Sequence, residues 1–500
     1  HTPAVDADVE RLRARETGAM RRLVLEELYL LEVGLALSRE SRLRERGIVV
    51  AGDGPRTRAA PGDLPFRLTA AQMRAWHEIR ADLAGPHPMN RLLEGDVGSG
   101  KTVVAFLAAV AVAEAGYQTA LMAPTELLAE QHARTLRRLV EGSSKAPALR
   151  LALLTASLSR QEAETTRREL ATGRVDLVVG THALLQEKVA FSRLALTIID
   201  EQQRFGVLQR AALAAKGHAE RTPHILVMTA TPIPRTLALT AFGDLDLSTI
   251  DELPPGRVAV RTLLLRSGEG ARIVDLLREA TRRGEQVYVV YPLIEESEKS
   301  DLRAAVESAD RIRRAFPELC VDLVHGRLDA AERNATMGRF ERGEVQVLVS
   351  TTVIEVGVDV ARASLMIVEH AERFGLAQLH QLRGRVGRGE CPGTCVLVAR
   401  GASEESEARL GAMLETTDGF AIAEADLRIR GPGEFLGTRQ HGRLPDLRIA
   451  DLVRDVRQVA IAREAALAVL RRDPGLRRGR DLARAVDARW GERLALVDVG

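Results

Sequence analysis

Cysteine is scarce in this chain: three of the 500 residues, Cys320, Cys391 and Cys395, carry a thiol. So few cysteines cannot build a disulfide framework, and they are typical of a protein kept in a reducing compartment. Cys391 and Cys395 are spaced like one half of a zinc site, but the chain has no second pair to complete a tetrahedral ligand set. We therefore expect neither structural disulfides nor bound zinc.

Long apolar runs and aromatic residues are also scarce. The longest apolar run, residues 103–113, ends before Glu114 and is still shorter than the roughly 18 residues that cross a bilayer, so we expect no membrane segment. Aromatic side chains make up 3% of the chain. Sequence-tolerant single-strand binders stack bases on aromatic rings, so a nucleic-acid track here should rely on phosphate contacts and weaken steeply with salt.

Charge of one sign is not in excess either. The 71 basic residues, of which five are lysine, face 69 acidic ones, for a net charge of +2. A nucleic-acid surface must then be a local patch, because the field of the whole molecule is weak. With 45% hydrophobic and 28% charged residues, the composition is globular and excludes a disordered or collagen-like chain.

Short apolar runs alternate with helical patterns along most of the chain, which predicts βαβ units around parallel sheets. One series runs from residue 65 to Pro255, and a second runs from residue 286 to residue 398, after the proline-rich segment 251–257. Beyond Arg400 the strand patterns fade and helical ones remain. We predict an α/β protein with four parts: a helical linker segment and connector (1–60), a first lobe (61–256), a second lobe (257–400) and a C-terminal helical region (401–500).

The segment GDVGSGKT, residues 95–102, has the spacing of a phosphate-binding P-loop and lies between an apolar run and a helical pattern. Its glycines let backbone N–H groups surround a phosphate at a helix N-terminus. Lys101 reaches the β- and γ-phosphates, and Thr102 offers a hydroxyl to Mg²⁺. The sequence therefore predicts ATP and Mg²⁺ as cofactors, with the nucleotide held by Gly95, Asp96, Val97, Gly98, Ser99, Gly100, Lys101 and Thr102.

A P-loop hydrolase also needs a carboxylate beside the metal and positive charge at the γ-phosphate. The apolar run 196–199 ends in Asp200 and Glu201, which we assign to Mg²⁺ and to the attacking water respectively. Arg385 and Arg388 lie three residues apart, a spacing that would place both on one helix face, pointing across a cleft between the lobes. Arginine-rich segments are usually solvated surface, and that alternative stays open at this point.

Seven segments stand in the order of the motifs of superfamily 2 helicases, and within that superfamily the chain resembles the RecG family of bacterial branch-migrating DNA helicases. The seven are GDVGSGKT, APTELLAEQH, VGTHALL, DEQQRFG, TATPIPRT, STTVIEVGVDV and QLRGRVGR. The segments DELPPGR, LIEESE, LVHGRL and IRGPGEFLGTRQ are similar to RecG signatures. The resemblance covers nearly the whole chain. It starts where the family's N-terminal wedge domain ends, so we expect that domain to be missing.

The resemblance implies two tandem RecA-like lobes followed by a C-terminal translocation hairpin, and it implies roles for individual residues. Phe66 and Gln72 would contact adenine, Gly357 and Asp359 would meet the nucleotide from the second lobe, and Gln381 would join Arg385 and Arg388 in the catalytic set. The implied DNA-binding residues are Pro124, Thr125, Gly180, Thr181 and Thr352. The residues implied to couple ATP turnover to DNA movement are Gln203, Thr229, Thr231, Arg409, Arg430 and Gln440.

One position departs from the family pattern: Gln203 stands where relatives usually carry histidine. Glutamine can also form hydrogen bonds and both carboxylates of the motif are kept, so we expect hydrolysis to survive. Other histidines show no metal-ligand spacing and are expected to be ordinary core or surface residues; they are His132, His182, His325, His370, His380 and His441.

Together these assignments predict an ATP-driven double-stranded DNA translocase, or helicase, that remodels stalled replication forks and branch-migrates Holliday junctions. The resemblance implies forks, junctions and duplex DNA as partners, single-strand-binding protein as a further partner, and a monomeric, cytoplasmic, nucleoid-associated bacterial protein. Two alternatives stay open. One is the motor of a transcription-repair coupling factor acting on stalled RNA polymerase, and the other is a nucleotide-dependent switch that does not translocate.

Overall fold

The structure is a computed structural model. It describes residues 17–51, 54–142, 149–201, 216, 221–232, 245–256, 258–292, 298–351, 360–389, 391–401, 403–430, 447–452 and 454–498. The first helix, α1 (Gly18–Arg42), begins at Thr17, whose hydroxyl accepts a hydrogen bond from the Met20 N–H. Such a cap satisfies a donor that the first helical turn would leave without a partner.

The first lobe is built on a seven-stranded sheet in which every pairing is parallel. Its strands lie in the order β3-β4-β2-β5-β6-β1-β7. They are β1 (Asn90–Gly95), β2 (Gln118–Met122), β3 (Leu151–Leu154), β4 (Leu177–Gly180), β5 (Leu194–Asp200), β6 (His224–Thr229) and β7 (Asp246–Ile250). The helices are α2 (Pro55–Ala59), α3 (Ala70–Leu83), α4 (Lys101–Glu114), α5 (Glu126–Glu141) and α6 (Arg160–Ala171).

Both faces of this sheet are buried. Leu121 belongs to a cluster with Trp76 and Phe106, whereas its neighbour Met122 belongs to a second cluster with Val227. Successive strand residues point to opposite faces, so the two clusters are the two layers between the sheet and its flanking helices. Burial on both faces explains why these strands read as continuous apolar runs.

The second lobe contains a six-stranded sheet, also parallel throughout, in the order β10-β11-β9-β12-β13-β8. Its strands are β8 (Arg261–Arg266), β9 (Gln286–Tyr291), β10 (Val321–Val324), β11 (Val347–Thr351), β12 (Ala363–Glu369) and β13 (Thr394–Ala399). The helices are α7 (Gly270–Arg282), α8 (Glu298–Ala315), α9 (Ala330–Glu341) and α10 (Leu376–Arg383). Tyr288 and Val289 belong to different core clusters, so this sheet too is covered on both faces.

The predicted fold class, two tandem parallel-sheet lobes with helical segments before and after them, is confirmed. The apolar runs did not reveal β7 and β8. Each is the last strand at one edge of its sheet, and each is only partly buried. An edge strand buries fewer side chains, and β7 accordingly mixes polar with apolar residues. β8 does contain three consecutive leucines, residues 263–265, but arginines flank this short run on both sides.

After the second lobe come the helices α11 (Glu404–Glu415), α12 (Gly419–Arg430), α13 (Val456–Arg472) and α14 (Arg480–Asp498). Helix α1 packs on α13 and α14, with Leu28 against Leu452 and Val459. We call α1, α13 and α14 the helical body. The four-part division of the chain stays a prediction, but its first and last parts meet in this body.

Glu27 of α1 connects parts of the helical body by hydrogen bonds and an ion pair. Its carboxylate accepts hydrogen bonds from the N–H groups of Arg448, Ile449 and Ala450 at 2.8, 2.9 and 2.9 Å and pairs with the Arg489 guanidinium. These hydrogen bonds lower its pKa against the effect of burial, which would raise it. One side chain of α1 thereby holds both α14 and the segment that leads into α13.

Within the described ranges, no helix has the length and apolar content to cross a membrane. The three cysteines form no disulfide. Burial raises the pKa of the Cys395 thiol to about 12, so that thiol stays protonated at neutral pH.

Candidate active site between the lobes

The P-loop connects β1 to α4, and its glycines occupy positions where a side chain would not fit. Gly98 and Gly100 have φ of 76° and 90°, a left-handed conformation that side chains disfavour. A Cβ atom on Gly95 would lie 2.6 Å from Ser99 Oγ, and one on Gly100 would collide with the Gln72 amide. The backbone therefore forms the open curve that a phosphate needs at the start of a helix.

Lys101 lies under this loop, 8% exposed. Its Nζ donates to the carbonyl oxygens of Gly95 and Asp96 at 2.7 and 2.9 Å. Burial lowers the pKa of its ammonium group, while the charges of Glu201, Asp200 and Asp96 act in the opposite direction and that of Arg388 reinforces the lowering. The lysine is thus held by the P-loop backbone and faces the two carboxylates predicted from the sequence.

Asp200 ends β5, at the same edge of the sheet as the P-loop. Burial would raise the pKa of its carboxyl, but His132 and Lys101 lower it overall. His132 Nε2 lies 2.7 Å from Asp200 Oδ2. The sequence alone predicts that His132 is an ordinary core or surface histidine, and its contact with Asp200 corrects that prediction; its position in the APTELLAEQH motif is the available signal. Glu201, the next residue, has a φ of 54°, a strained conformation of the kind found at functional sites.

The residues present fit a magnesium ion brought by a nucleotide. Thr102, in the first turn of α4, and Asp200 supply a hydroxyl and a carboxylate, the hard oxygen ligands that Mg²⁺ prefers. Among the residues that the structure describes, no group of three or more acidic, histidine or cysteine side chains could hold a metal. A nucleotide-bound Mg²⁺ does not need one, because phosphates and waters complete its shell.

The two predicted arginines of the second lobe are not on a helix as expected. Helix α10 ends at Arg383, and Arg385 and Arg388 follow it in the turn toward β13. Gly387, with a φ of 70°, cannot continue a helix. Arg388 Nε donates to the Gly384 carbonyl at 2.8 Å, and its charge acts on Lys101 across the cleft.

The contact between the lobes is close at this point. A Cβ atom on Gly384 would lie 2.9 Å from Val97 Cβ in the P-loop. Gln381, buried on α10, belongs to the same stretch. A second contact between the lobes is an ion pair, in which Arg134 of α5 lies 2.5 Å from Glu341 of α9.

Asp96 carries a contact that sequence analysis missed. His380 Nε2 lies 2.5 Å from Asp96 Oδ1, and the Gly419 N–H donates to Asp96 Oδ2 at 3.2 Å. His380 was expected to be an ordinary histidine; instead it joins the P-loop to the second lobe. Its place directly before the QLRGRVGR motif was the signal in the sequence.

Gln72 of α3 stabilises the P-loop through a side-chain hydrogen bond. Its Nε2 donates to the Ser99 carbonyl at 2.7 Å, and its Oε1 accepts from the Thr69 N–H at 2.9 Å, which completes the cap of α3. Gln72 is 2% exposed and Phe66 is 44% exposed. Their contacts with adenine stay predictions.

The predicted DNA-binding residues that the structure describes lie at or just beyond the carboxyl ends of β2 and β4, at the same edge of the sheet as the P-loop. Pro124 and Thr125 are half-buried, and the Thr125 hydroxyl caps α5. Gly180 ends β4 against the Leu154 carbonyl, and Thr181 is 8% exposed. Their roles in DNA binding stay predictions.

The predicted coupling residues fall in different places. Thr229 is the last residue of β6, and its hydroxyl forms a hydrogen bond of 2.9 Å with the hydroxyl of Thr231. Arg409 of α11 donates to the carbonyl oxygens of Phe374 and Glu372, just before α10. Arg430 is the last residue of α12. Five predicted site residues lie outside the described residues, namely Gln203, Thr352, Gly357, Asp359 and Gln440.

These features define a class: a two-lobed P-loop helicase core with its nucleotide site between the lobes. Three family models match it, namely DEAD/DEAH box helicase over residues 69–240, helicase conserved C-terminal domain over 270–390, and ATP-dependent DNA helicase RecG, domain 3, C-terminal, over 416–482. The Mycobacterium smegmatis helicase Lhr shares the fold, with a TM-score of 0.55 at 20% identity over 74% of this chain and 51% of that one.

Closer relatives specify the family. The ATP-dependent DNA helicase RecG of Escherichia coli O157:H7 is 47% identical over 98% of this chain and 70% of its own length. The RecG of Synechocystis is 50% identical over 93% of this chain and 55% of its own length. A RecG structure bound to a three-way DNA junction matches with a TM-score of 0.73 and 45% identity, over 92% of this chain and 58% of that one. The chain belongs to the RecG family of ATP-dependent DNA helicases, and it spans little more than half the length of several of these relatives.

Proposed function

We propose that this chain is the ATP-hydrolysing motor of a DNA helicase that acts on branched DNA. The observation that carries the proposal is the convergence of Lys101, the Asp200–Glu201 pair and Arg388 at one cleft, in a chain of the RecG family. A phosphate bound there meets a buried ammonium group from one lobe and an arginine from the other, so the charge at the γ-phosphate depends on how the lobes approach.

Each group has a chemical task in this proposal. The P-loop amides and Lys101 bind the phosphates, and Glu201 orients the attacking water. Thr102 and Asp200 hold Mg²⁺, which when bound neutralises phosphate charge. Arg385 and Arg388 stabilise the charge that develops during phosphoryl transfer, and His132 keeps the Asp200 carboxylate oriented and ionised.

The substrate assignment rests on the family. The related RecG structure is bound to a three-way DNA junction, and the proposal extends that substrate class to this chain, with remodelling of stalled forks and branch migration of Holliday junctions as the outcome. A monomeric state, a cytoplasmic and nucleoid-associated location and a single-strand-binding protein partner belong to the same proposal. The RecG relatives and the RecG domain model favour this reading over a transcription-repair coupling motor.

The first experiment is ATP hydrolysis without DNA, with single strands, with linear duplex and with a four-way junction, each at low and high salt. We expect stimulation by duplex or junction that is lost at high salt, because phosphate contacts release counterions. Hydrolysis that is indifferent to DNA would leave the ATP site in place but contradict the motor. It would favour the nucleotide-dependent switch.

Two substitutions test the ATP site. Lys101→Ala and Glu201→Gln should each abolish turnover, since they remove the phosphate cation and the group that orients the water. Lys188→Ala and Glu164→Gln are matched controls, because both side chains are exposed on the first lobe and have no role in the proposed site. Turnover at the wild-type rate in either site variant would refute the assignment.

A further inference from the structure

A chain of hydrogen bonds leaves the P-loop and enters the second lobe. One oxygen of Asp96 receives His380 Nε2 at 2.5 Å, and the other accepts from the Gly419 N–H at 3.2 Å. His380 lies on α10 and Gly419 begins α12. The Asp96 carboxylate of the P-loop is therefore bound both by α10, the helix that precedes the arginine segment, and by the first residue of α12.

The direction of these hydrogen bonds is fixed by Arg383. Its Nη2 lies 3.0 Å from His380 Nδ1. A guanidinium group can only donate hydrogen bonds, so Nδ1 must accept and the imidazole proton must be on Nε2. His380 therefore donates to Asp96, and the order from donor to acceptor is Arg383, His380, Asp96.

Arg383 also anchors the far end. Its Nη1 donates to the carbonyl oxygens of Met413 and Thr416, both at 2.9 Å, where α11 ends and the chain turns toward α12. Arg383 is 2% exposed, so these carbonyl groups replace the water that its charge would otherwise bind. Breaking hydrogen bonds to a buried charge is expensive, and this end of the chain is accordingly rigid.

The packing around the contact leaves little freedom. A Cβ atom on Gly419 would lie 2.7 Å from His380 Nε2 and 3.0 Å from Asp96 Cγ. The φ of Gly419 is not positive, so an alanine there would be strained by these neighbours and not by its own backbone. Asp96 also meets the phosphate-binding lysine, since its carbonyl oxygen accepts from Lys101 Nζ at 2.9 Å.

We propose that Asp96, His380 and Arg383 form a positioning relay, which holds the arginine segment of the second lobe against the P-loop and connects the nucleotide site to the α11–α12 turn. The inference rests on the proposed ATPase function. A phosphate that draws Lys101 away from the Asp96 carbonyl disturbs the residue that receives His380. None of the three side chains needs to touch the reacting atoms: they act by placing Arg385 and Arg388.

The relay predicts a separation between binding and turnover. His380→Ala should lower kcat for duplex-stimulated ATP hydrolysis by about tenfold or more, because it removes a hydrogen bond to a charged group. The Kd for ATP should change by less than about twofold, since a hydrogen bond made by the second lobe adds little to phosphate binding by the P-loop. His380→Gln keeps a donor near the Nε2 position and should stay close to wild type. His380→Asn is too short to reach Asp96 and should behave as the alanine variant.

The Gln and Asn variants distinguish a relay from a residue that merely fills space. His77→Ala, on the exposed side of α3, is the matched control, and Gly419→Ala should reproduce the loss by pushing His380 away from Asp96. Equal kcat in His380→Gln and His380→Asn, or wild-type kcat in His380→Ala, would overturn the relay.

Amide hydrogen exchange tests the contact without any turnover. The Gly419 amide, which donates to Asp96, should exchange about tenfold faster or more in His380→Ala than in wild type or His380→Gln. Unchanged exchange in His380→Ala would overturn the relay. The two proposals can fail separately. If Gly419 exchanges faster in His380→Ala than in wild type, but the wild-type protein hydrolyses no ATP, the contact is supported and the proposed function is contradicted.

Discussion

Two glutamates on α1 should give the helical body opposite responses to pH. Glu32 is 5% exposed, and its Oε1 has no hydrogen-bond partner among the residues that the structure describes. Burial raises its pKa to about 7, although Arg463 acts in the other direction. Glu27, by contrast, is bound by three N–H groups and an arginine that lower its pKa.

The size of the effect follows from the two pKa values of Glu32. The ordinary pKa of a glutamate is 4.5, and that of folded Glu32 is about 7, so between about pH 4.5 and about pH 7 the folded state keeps a proton that the unfolded state has released. Stability must fall as pH rises through this window, and a difference of roughly 2.5 pKa units corresponds to about 3 kcal/mol. Glu27 has the opposite sign: its contribution is present above about pH 4.5 and is lost as pH falls through its lowered folded pKa.

The assay is urea unfolding followed by the fluorescence of Trp490, which is buried in the helical body. A Trp76→Phe background removes the other tryptophan of the chain. Glu32→Gln should remove the pH slope and gain about 3 kcal/mol over wild type at about pH 8, with little gain at about pH 5. Glu27→Gln, the matched control on the same helix, should lose about 2 kcal/mol at about pH 8.

A Glu32→Gln variant that kept the wild-type dependence of unfolding free energy on pH would refute the assignment of this dependence to Glu32. That outcome would mean that the Glu32 carboxylate finds a partner or water that its surroundings do not provide. A stabilising effect of Glu27→Gln would likewise contradict the account of the helical body.

Three further predictions concern the motor. Gly100→Ala should abolish nucleotide binding in a fluorescent-ATP titration, because φ is positive there and the new methyl group would meet the Gln72 amide; tight binding would contradict the P-loop geometry. His132→Ala should lower kcat by about tenfold, because Asp200 loses a charge-assisted hydrogen bond. Steady-state ATP hydrolysis with duplex DNA measures this, and an unchanged kcat would refute the role of His132 in orienting Asp200. Arg430→Ala should impair branch migration of a synthetic junction more than ATP hydrolysis, and equal losses would refute its coupling role.

Much of the fold could be predicted from the sequence because parallel strands buried on both faces leave continuous apolar runs, as β4 and β5 do. The P-loop and the Asp200–Glu201 pair could be predicted because phosphate and metal chemistry restrict residue type and spacing within a short segment. The same reasoning failed for Arg385 and Arg388, which follow α10 instead of lying on a helix, because Gly384 and Gly387 end the helical pattern just where the arginines begin.

What the sequence could not show depends on long-range contacts. His132 and Asp200 are 68 residues apart, and Asp96 and His380 are 284 residues apart. No local sequence pattern can therefore predict either contact. Helix α1 reads as an ordinary amphipathic helix, and nothing in its own residues indicates that Glu27 meets a segment more than 400 positions later. Histidine in particular serves many roles, and its role is set by the neighbour that the fold supplies.

The helical body has a mechanical consequence, because it is attached to both lobes. On one side, the segment after α1 meets the first lobe, where Gly47 pairs with Thr222 and the Ile48 carbonyl accepts from His224. On the other side, α12 packs into the second lobe through Ile422 and into the helical body through Leu427.

The two lobes and the helical body therefore form a closed ring of contacts with three joints. In such a ring the angle at one joint cannot change alone. If nucleotide alters the angle between the lobes, the displacement must be absorbed where α12 leaves the second lobe or where α1 slides on α13. The chain would work as a closed linkage, in which a small rotation at the ATP cleft is delivered as movement of the helical body.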